Sequence, residues 1–214
     1  MKIAILGGSF NPIHIGHLAL ADAVCCTLQY DKVLFIPTFS PPHKEMNDCV
    51  PAEKRLKMVR LACEGDSRFE AEDCEIRRRG VSYTYDTVRF IEQKYSGQLE
   101  GKLGLVVGED LLPGFHLWHK AEDLAKICDI VVAKRPLLVE NTSHSNRPQG
   151  AYADADSDFD AGKEPLLKNA VWLFNAQLPV SSTDIRTRAG RGGGFRYLVP
   201  YPVFRYIIDG HLYE

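Results

Sequence analysis

Gly7-Gly8-Ser9-Phe10-Asn11-Pro12-Ile13-His14-Ile15-Gly16-His17 lies between an apolar run, Ile3-Ala4-Ile5-Leu6, and an amphipathic run from Leu18 to Tyr30. The pattern predicts a buried strand, a tight turn and a helix. Glycines let the backbone come close to a ligand because no Cβ stands in the way. A helix start offers free N–H groups and the positive end of the dipole, and both favour phosphate. His14 and His17, three residues apart, share one face of that helix. The stretch reads as a nucleotide-phosphate site on a strand–turn–helix unit.

Outward from this unit, short apolar strands alternate with helical periods. Val33 to Ile36 is a second strand, ended by Pro37, and Arg68 to Ile76 alternates polar and apolar like an edge strand. Leu103 to Val107, Ile127 to Ala133 and Val171 to Phe174 are further strands. Between them, Leu56, Val59 and Cys63 mark a helix face that Gly65 can cap, and Thr84 reads as the N-cap of a helix carrying Val88, Ile91 and Tyr95. A short helix opens at Ser182 and Thr183, and a last one covers Pro202 to Ile208. This order implies an α/β fold built from βαβ units: a Rossmann-like, mainly parallel sheet flanked by helices, with a small C-terminal helical part. No internal repeat is visible, and residues 1–214 read as one domain.

Residues 140–165 break the pattern as a polar insertion loop. Asp154, Asp156, Asp158 and Asp160 invite a calcium reading, but the sixth position of an EF-hand loop would be Phe159 and the twelfth Pro165. Gly and Glu are needed there, so the segment reads as a solvated acidic loop.

Bulk properties narrow the class. The 214 residues are 45% hydrophobic and 25% charged, as in an ordinary soluble domain. A formal net charge of −2 gives no support for a nucleic-acid or anionic-membrane binder. No apolar run approaches the roughly 20 residues of a membrane helix, and no signal-peptide pattern follows the first strand. The six cysteines, Cys25, Cys26, Cys49, Cys63, Cys74 and Cys128, lack C-x-x-C or zinc spacing and read as reduced packing residues, which implies a cytoplasmic protein.

Other phosphate and hydrolase motifs are absent. There is no G-x-G-x-x-G after the first strand, no P-loop, no H-E-x-x-H and no G-x-S-x-G. What remains is a histidine-based grip. A second stretch, Val180-Ser181-Ser182-Thr183-Asp184-Ile185-Arg186, opens a helix far along the chain. Ser and Thr hydroxyls at a helix start can cap it or donate to phosphate, and Arg186 adds a planar charged fork suited to phosphate oxygens. Taken alone the second stretch is a capping motif; together with the glycine turn and the histidine pair it forms the opposing half of a phosphate site.

Gly8 to His17 with Ser181 to Arg186 resembles the nucleotidyltransferase superfamily that carries an H-x-G-H signature. Within it the chain resembles the bacterial nicotinate-nucleotide adenylyltransferases. Pro41-Pro42-His43-Lys44, Ser82-Tyr83-Thr84, Gly108-Glu109-Asp110, Trp118 eight residues after Asp110, and Lys134-Arg135-Pro136 fit that family in order and spacing. The likeness covers nearly the whole chain apart from 140–165. One departure lies in the opening motif: Asn11 stands where many members carry Asp, which keeps the shape but loses the charge.

The resemblance implies that ATP and nicotinate mononucleotide give nicotinate adenine dinucleotide and pyrophosphate. It places His14, His17, Lys44 and Arg186 in catalysis, with Gly8, Ser9, Phe10, Gly16, Gly108, Asp110, Arg135, Ser182, Thr183 and Ile185 on ATP. Lys44, Tyr83, Thr84, Trp118 and His119 fall to the mononucleotide, with Trp118 stacked on its ring. It implies Mg²⁺ carried with ATP, no protein metal site, and leaves a homo-oligomer open. Rival readings are an adenylyltransferase for nicotinamide mononucleotide or phosphopantetheine, a class I aminoacyl-tRNA synthetase fragment, and a non-catalytic ATP-binding sensor. No K-M-S-K-S-like stretch supports the synthetase.

Overall fold

β1 (Ile3–Gly8) and β2 (Lys32–Pro37) are nearly all apolar because both faces of a parallel sheet are covered by helices. The structure, a computed structural model, describes residues 1–40, 50–134, 165–176 and 178–214. Among these, β3 (Phe69–Ala71), β4 (Leu103–Gly108), β5 (Cys128–Ala133) and β6 (Val171–Leu173) join β1 and β2 in one six-stranded sheet of order β3-β2-β1-β4-β5-β6. Every neighbouring pair is parallel, so the mainly parallel expectation tightens to fully parallel among the described strands.

Alternation along each strand sorts the core into two layers. Ala4, Leu6, Val33, Phe35, Val106 and Val131 face α1 (Ile15–Leu28), α2 (Ala52–Cys63), α6 (Ser182–Gly190) and α7 (Tyr201–Asp209). Ile3, Ile5, Leu34, Ile36, Leu105 and Val107 face α4 (Thr84–Lys94), the 3₁₀ stretch Glu109–Leu117 and α5 (Ala121–Ile127). A short α3 (Cys74–Arg78) and a 3₁₀ turn, Pro165–Leu167, complete the described elements.

Several boundaries differ from the sequence reading for physical reasons. The first helix starts at Ile15 and ends at Leu28, where Gln29 turns the chain with a left-handed φ of 59°. It is apolar around most of its surface rather than sharply two-sided, and Ala21, Val24 and Cys25 are its buried residues. The strand expected over 68–76 shrinks to three residues, because Cys74–Arg78 winds into α3; its place at the sheet edge stands. Thr84 is the first residue inside α4, and Tyr83 is the N-cap. Glu64, still in right-handed helical geometry, ends α2, and Gly65 takes no left-handed cap conformation. Ile127 closes α5 instead of opening β5. The insertion reading at 140–165, with its four aspartates, falls almost wholly outside the described residues, as does Cys49.

Phe35, fully buried at the middle of β2, touches Phe69 edge-on at 5.5 Å and Phe10 at 5.9 Å, so it couples the sheet to the turn after β1. Phe35→Ala should cost about 3–5 kcal/mol of stability, read from the denaturant midpoint at unchanged slope.

Candidate active site

The strand order reverses between β1 and β4. The crossover leaving β1 covers one face and the chain leaving β4 covers the other, so a crevice opens above their C-terminal ends, Gly8 and Gly108. Both signature stretches meet at this crevice.

The turn after β1 is shaped by Phe10. Its φ of 45° lies in the left-handed region, which costs a non-glycine residue on the order of 1 kcal/mol. Burial of its ring against Phe35 and, at 5.0 Å, against His17 offsets that strain. A Cβ on Gly8 would stand 3.2 Å from Phe10 Cζ. The glycine therefore has a packing reason beside the ligand-approach reason. The Gly8 carbonyl accepts from the Thr38 N–H at 2.9 Å, and Arg55, 1% exposed, donates to the Ser9 carbonyl at 2.7 Å.

His14 is the N-cap of α1 and His17 its third residue. The His14 N–H donates to His17 Nδ1 at 3.2 Å, so His17 fills the place a Glu takes in a capping box. With Nδ1 accepting, a neutral His17 carries its proton on Nε2 and presents it as a donor. The two imidazoles stack at 3.7 Å with 24° between their planes. A Cβ on Gly16 would lie 3.1 Å from the His14 ring and 3.0 Å from Val180 Cγ1, which is why a glycine separates them. In the first turn of α1, the Ile15 N–H goes to the Leu198 carbonyl at 3.0 Å and the His17 N–H to the His14 carbonyl at 3.0 Å. Two N–H groups of this helix start are thus already paired within the protein, and the two stacked imidazoles stand beside them.

The opposing half is α6. Ser181, not Ser182 or Thr183, caps it, with its hydroxyl accepting from the Asp184 N–H at 3.1 Å. Ser182 is thereby released from capping, and its hydroxyl donates to the Pro12 carbonyl at 2.8 Å. Arg186 donates from Nη1 to the Asn11 carbonyl at 2.9 Å and from Nη2 to Thr183 Oγ1 at 3.3 Å. The fork is held in one orientation while its remaining N–H groups stay available to a ligand. Ile185 is fully buried beneath it, so its side chain packs the core and only its backbone can reach a nucleotide.

Across the crevice, Asp110 is exposed in the first turn of the 3₁₀ stretch that follows Gly108. Tyr83 and His119 meet with ring centroids 4.7 Å apart, beside Tyr85, whose ring lies 4.2 Å below Lys120 Nζ. Trp118 is half-buried, tilted on Phe115 at 5.2 Å. Thr84 starts α4, whose N-cap makes no side-chain capping bond. Lys44 and Arg135 lie outside the described residues. Among the described residues no group of three or more His, Cys, Asp or Glu could hold a metal, and no helix is long and apolar enough to cross a membrane.

Three residues around the site, Arg55, Glu75 and Tyr213, have no signal in periodicity or motif spacing. A fourth, Tyr85, could have been found, since it follows directly on Tyr83-Thr84. Glu75 is buried behind the Ser82–Thr84 segment and accepts from the Thr87 hydroxyl at 2.7 Å. Burial pushes its carboxyl above the usual 4.5, against the hydroxyls of Thr87, Ser82 and Thr38 and the charge of Arg78. The same segment is stitched to the end of β2 by the Ser82 N–H on the Ser40 carbonyl at 2.9 Å.

Fold and site together define a nucleotidyltransferase-type domain, and a family model described as cytidylyltransferase-like matches residues 5–188. A probable nicotinate-nucleotide adenylyltransferase of Treponema pallidum is 42% identical over 214 residues, covering all of both chains. One from Geobacter sulfurreducens is 38% identical over 216 residues, covering all of this chain and 98% of its own. The chain belongs to the nicotinate-nucleotide adenylyltransferase family. Its fold is also that of the Plasmodium falciparum nicotinic acid mononucleotide adenylyltransferase complexed with NaAD, with a TM-score of 0.69 at 17% identity over 99% of this chain and 97% of that one.

The Glu75 carboxyl takes up a proton on folding between 4.5 and its raised native value, so its contribution to stability is present below 4.5 and lost as pH rises through that window. Glu75→Gln removes this loss. Denaturation midpoints should fall less for the variant than for the parent between pH 4.5 and neutrality; parallel slopes would show that Glu75 is not the titrating group.

Proposed function

We propose that the chain transfers the adenylyl group of ATP to nicotinate mononucleotide, giving nicotinate adenine dinucleotide and pyrophosphate in NAD biosynthesis. The observation that carries this reading is the joining of the stacked His14–His17 pair to the Ser182–Arg186 helix across the carbonyls of Asn11 and Pro12. Family membership supports the same reaction. A phosphate oxygen of the mononucleotide attacks the α-phosphorus in line, a new P–O bond forms, and the bond to the β-phosphate breaks with its electron pair leaving on pyrophosphate. The nucleophile is already ionised, so no general base is needed. Positioning and charge stabilisation supply the rate.

In this reading His17 donates from Nε2 to the phosphate oxygens that gain charge, and His14 supports it. Arg186, Ser182 and Thr183 hold the β- and γ-phosphates, and Lys44 bridges the two reactants. Gly8, Ser9, Phe10 and Gly16 shape the floor under the triphosphate. Gly108, Asp110 and Arg135 serve the ribose and adenine, with Ile185 setting the height of α6. Mg²⁺ enters as part of its substrate, MgATP, and lowers the charge that the residues must neutralise.

Tyr83, Thr84, Trp118 and His119 receive the mononucleotide. The α4 start has no side-chain cap, and its N–H groups and dipole favour the ring carboxylate of nicotinate over the neutral amide. Residues 1–214 act as one domain in this scheme. The described cysteines, free and mostly buried, fit a reducing cytoplasm.

Purified protein given MgATP and each mononucleotide should release pyrophosphate faster with the acid than with the amide. Preference for the amide, for phosphopantetheine, or ATP binding without turnover would replace the reading with one of its rivals. In His17→Ala, kcat should fall about 10²–10³-fold while ATP affinity changes far less. Equal losses in both would make His17 a binding group only.

A further inference from the structure

We propose that Tyr213 is a positioning residue for the ATP site, its hydroxyl holding Asn11 so that the Asn11 carbonyl keeps Arg186 aimed at the triphosphate. The inference rests on the reading of His14, His17 and Arg186 as the ATP grip.

Asn11 is 5% exposed and uses two oxygens in opposite directions. Its carbonyl accepts from Arg186 Nη1 at 2.9 Å, and its side-chain Oδ1 accepts from the Tyr213 hydroxyl at 2.8 Å. The next residue is proline, which has no N–H of its own to anchor the turn. Its carbonyl takes the Ser182 hydroxyl at 2.8 Å. The turn is therefore held by three side chains that come from 170 to 202 residues away. Two of them belong to α6, and the third is Tyr213.

Tyr213 is itself fixed to α6. A Cβ on Gly190, at the end of that helix, would stand 2.6 Å from the Tyr213 carbonyl oxygen, so this close backbone approach requires a glycine. Tyr213 has a φ of 74°, again in the left-handed region, and its ring packs against the core layer under α7. One residue thus touches the C-terminal end of α6 through its backbone and the turn below the N-terminal end of α6 through its hydroxyl. Loss of the hydroxyl would loosen the Asn11 side chain and let the Arg186 acceptor shift. An amide oxygen accepts from a phenol O–H in the same geometry as a carboxylate oxygen, in a weaker bond without charge assistance. The brace therefore works with Asn at position 11, and no charge is needed there.

Tyr213→Phe keeps the ring, the packing and the Gly190 contact, and removes only the donor. In the full chain it should raise KM for ATP about 3- to 10-fold, leave KM for nicotinate mononucleotide unchanged and lower the melting temperature by only about 2–4 °C, as the loss of one buried hydrogen bond dictates. Asn11→Ala should raise KM for ATP as well, and Tyr213→Phe added to it should cause no further rise. A wild-type KM for ATP in Tyr213→Phe would overturn the proposal. So would a larger fall in melting temperature with both KM values raised alike, or effects that multiply in the double variant. If the parent protein makes no dinucleotide, the proposed reaction fails by itself; calorimetric titration of MgATP into parent and Tyr213→Phe still tests the brace.

Discussion

Two adjacent backbone carbonyls, those of Asn11 and Pro12, hold the two halves of the candidate site together. They sit on the turn after β1 and receive donors from α6, 170 and 175 residues further along the chain. Charge-assisted and hydroxyl bonds to carbonyls are modest each, but in a buried turn an unmade one is costly. Their geometry dictates where Arg186 points. It also explains why Asn11-Pro12 can lie between two helix starts: the residues contribute acceptors, and α6 contributes the donors. Without α6 both carbonyls would lose these donors, so α6 and the glycine turn are one structural unit despite their distance in sequence.

The same dependence runs upward from the core. Phe69, Phe35 and Phe10 form an edge-to-face series that ends on His17. Each ring prefers the edge of the next, which fixes tilt as well as position. His17 is then clamped from its other side by the His14 N–H on Nδ1. A ring held between an aromatic edge and a backbone donor has little rotamer freedom left to lose on binding phosphate. Preorganisation of that kind is what a reaction with an already ionised nucleophile requires.

Much of this could be read from the residues. Mainly apolar runs of four to seven residues, most of them closed by Gly or Pro, marked β1, β2, β4 and β5, because a strand buried on both faces is apolar over most of its length. The histidine pair and Arg186 were legible from residue type and from place at a helix start. Local competition hid other features. Arg68 to Ile76 alternates like a strand over nine residues, but only Phe69–Ala71 finds a partner in β2, and the rest winds into α3. Ser181, Ser182 and Thr183 are chemically near-equivalent caps, and only the tertiary contact of Ser182 with Pro12 shows which one is released from capping. Tyr213 and Arg55 act through contacts across the fold, which no spacing rule encodes.

Arg55 shows how such a contact bears on chemistry. A guanidinium buried to 1% exposure is expensive unless its donors are met, and three carbonyls help to meet them: Ser9 at 2.7 Å, Val50 at 3.3 Å and Phe39 at 3.4 Å. Those carbonyls belong to the glycine turn and to the two segments that flank residues 41–49, so one cation ties the phosphate turn to both ends of the stretch carrying Lys44. These bonds fix the guanidinium in the wall of the same turn that Arg186 flanks from α6. In a chain with net charge −2, the positive groups that border this crevice count by where they are placed, not by how many the protein carries.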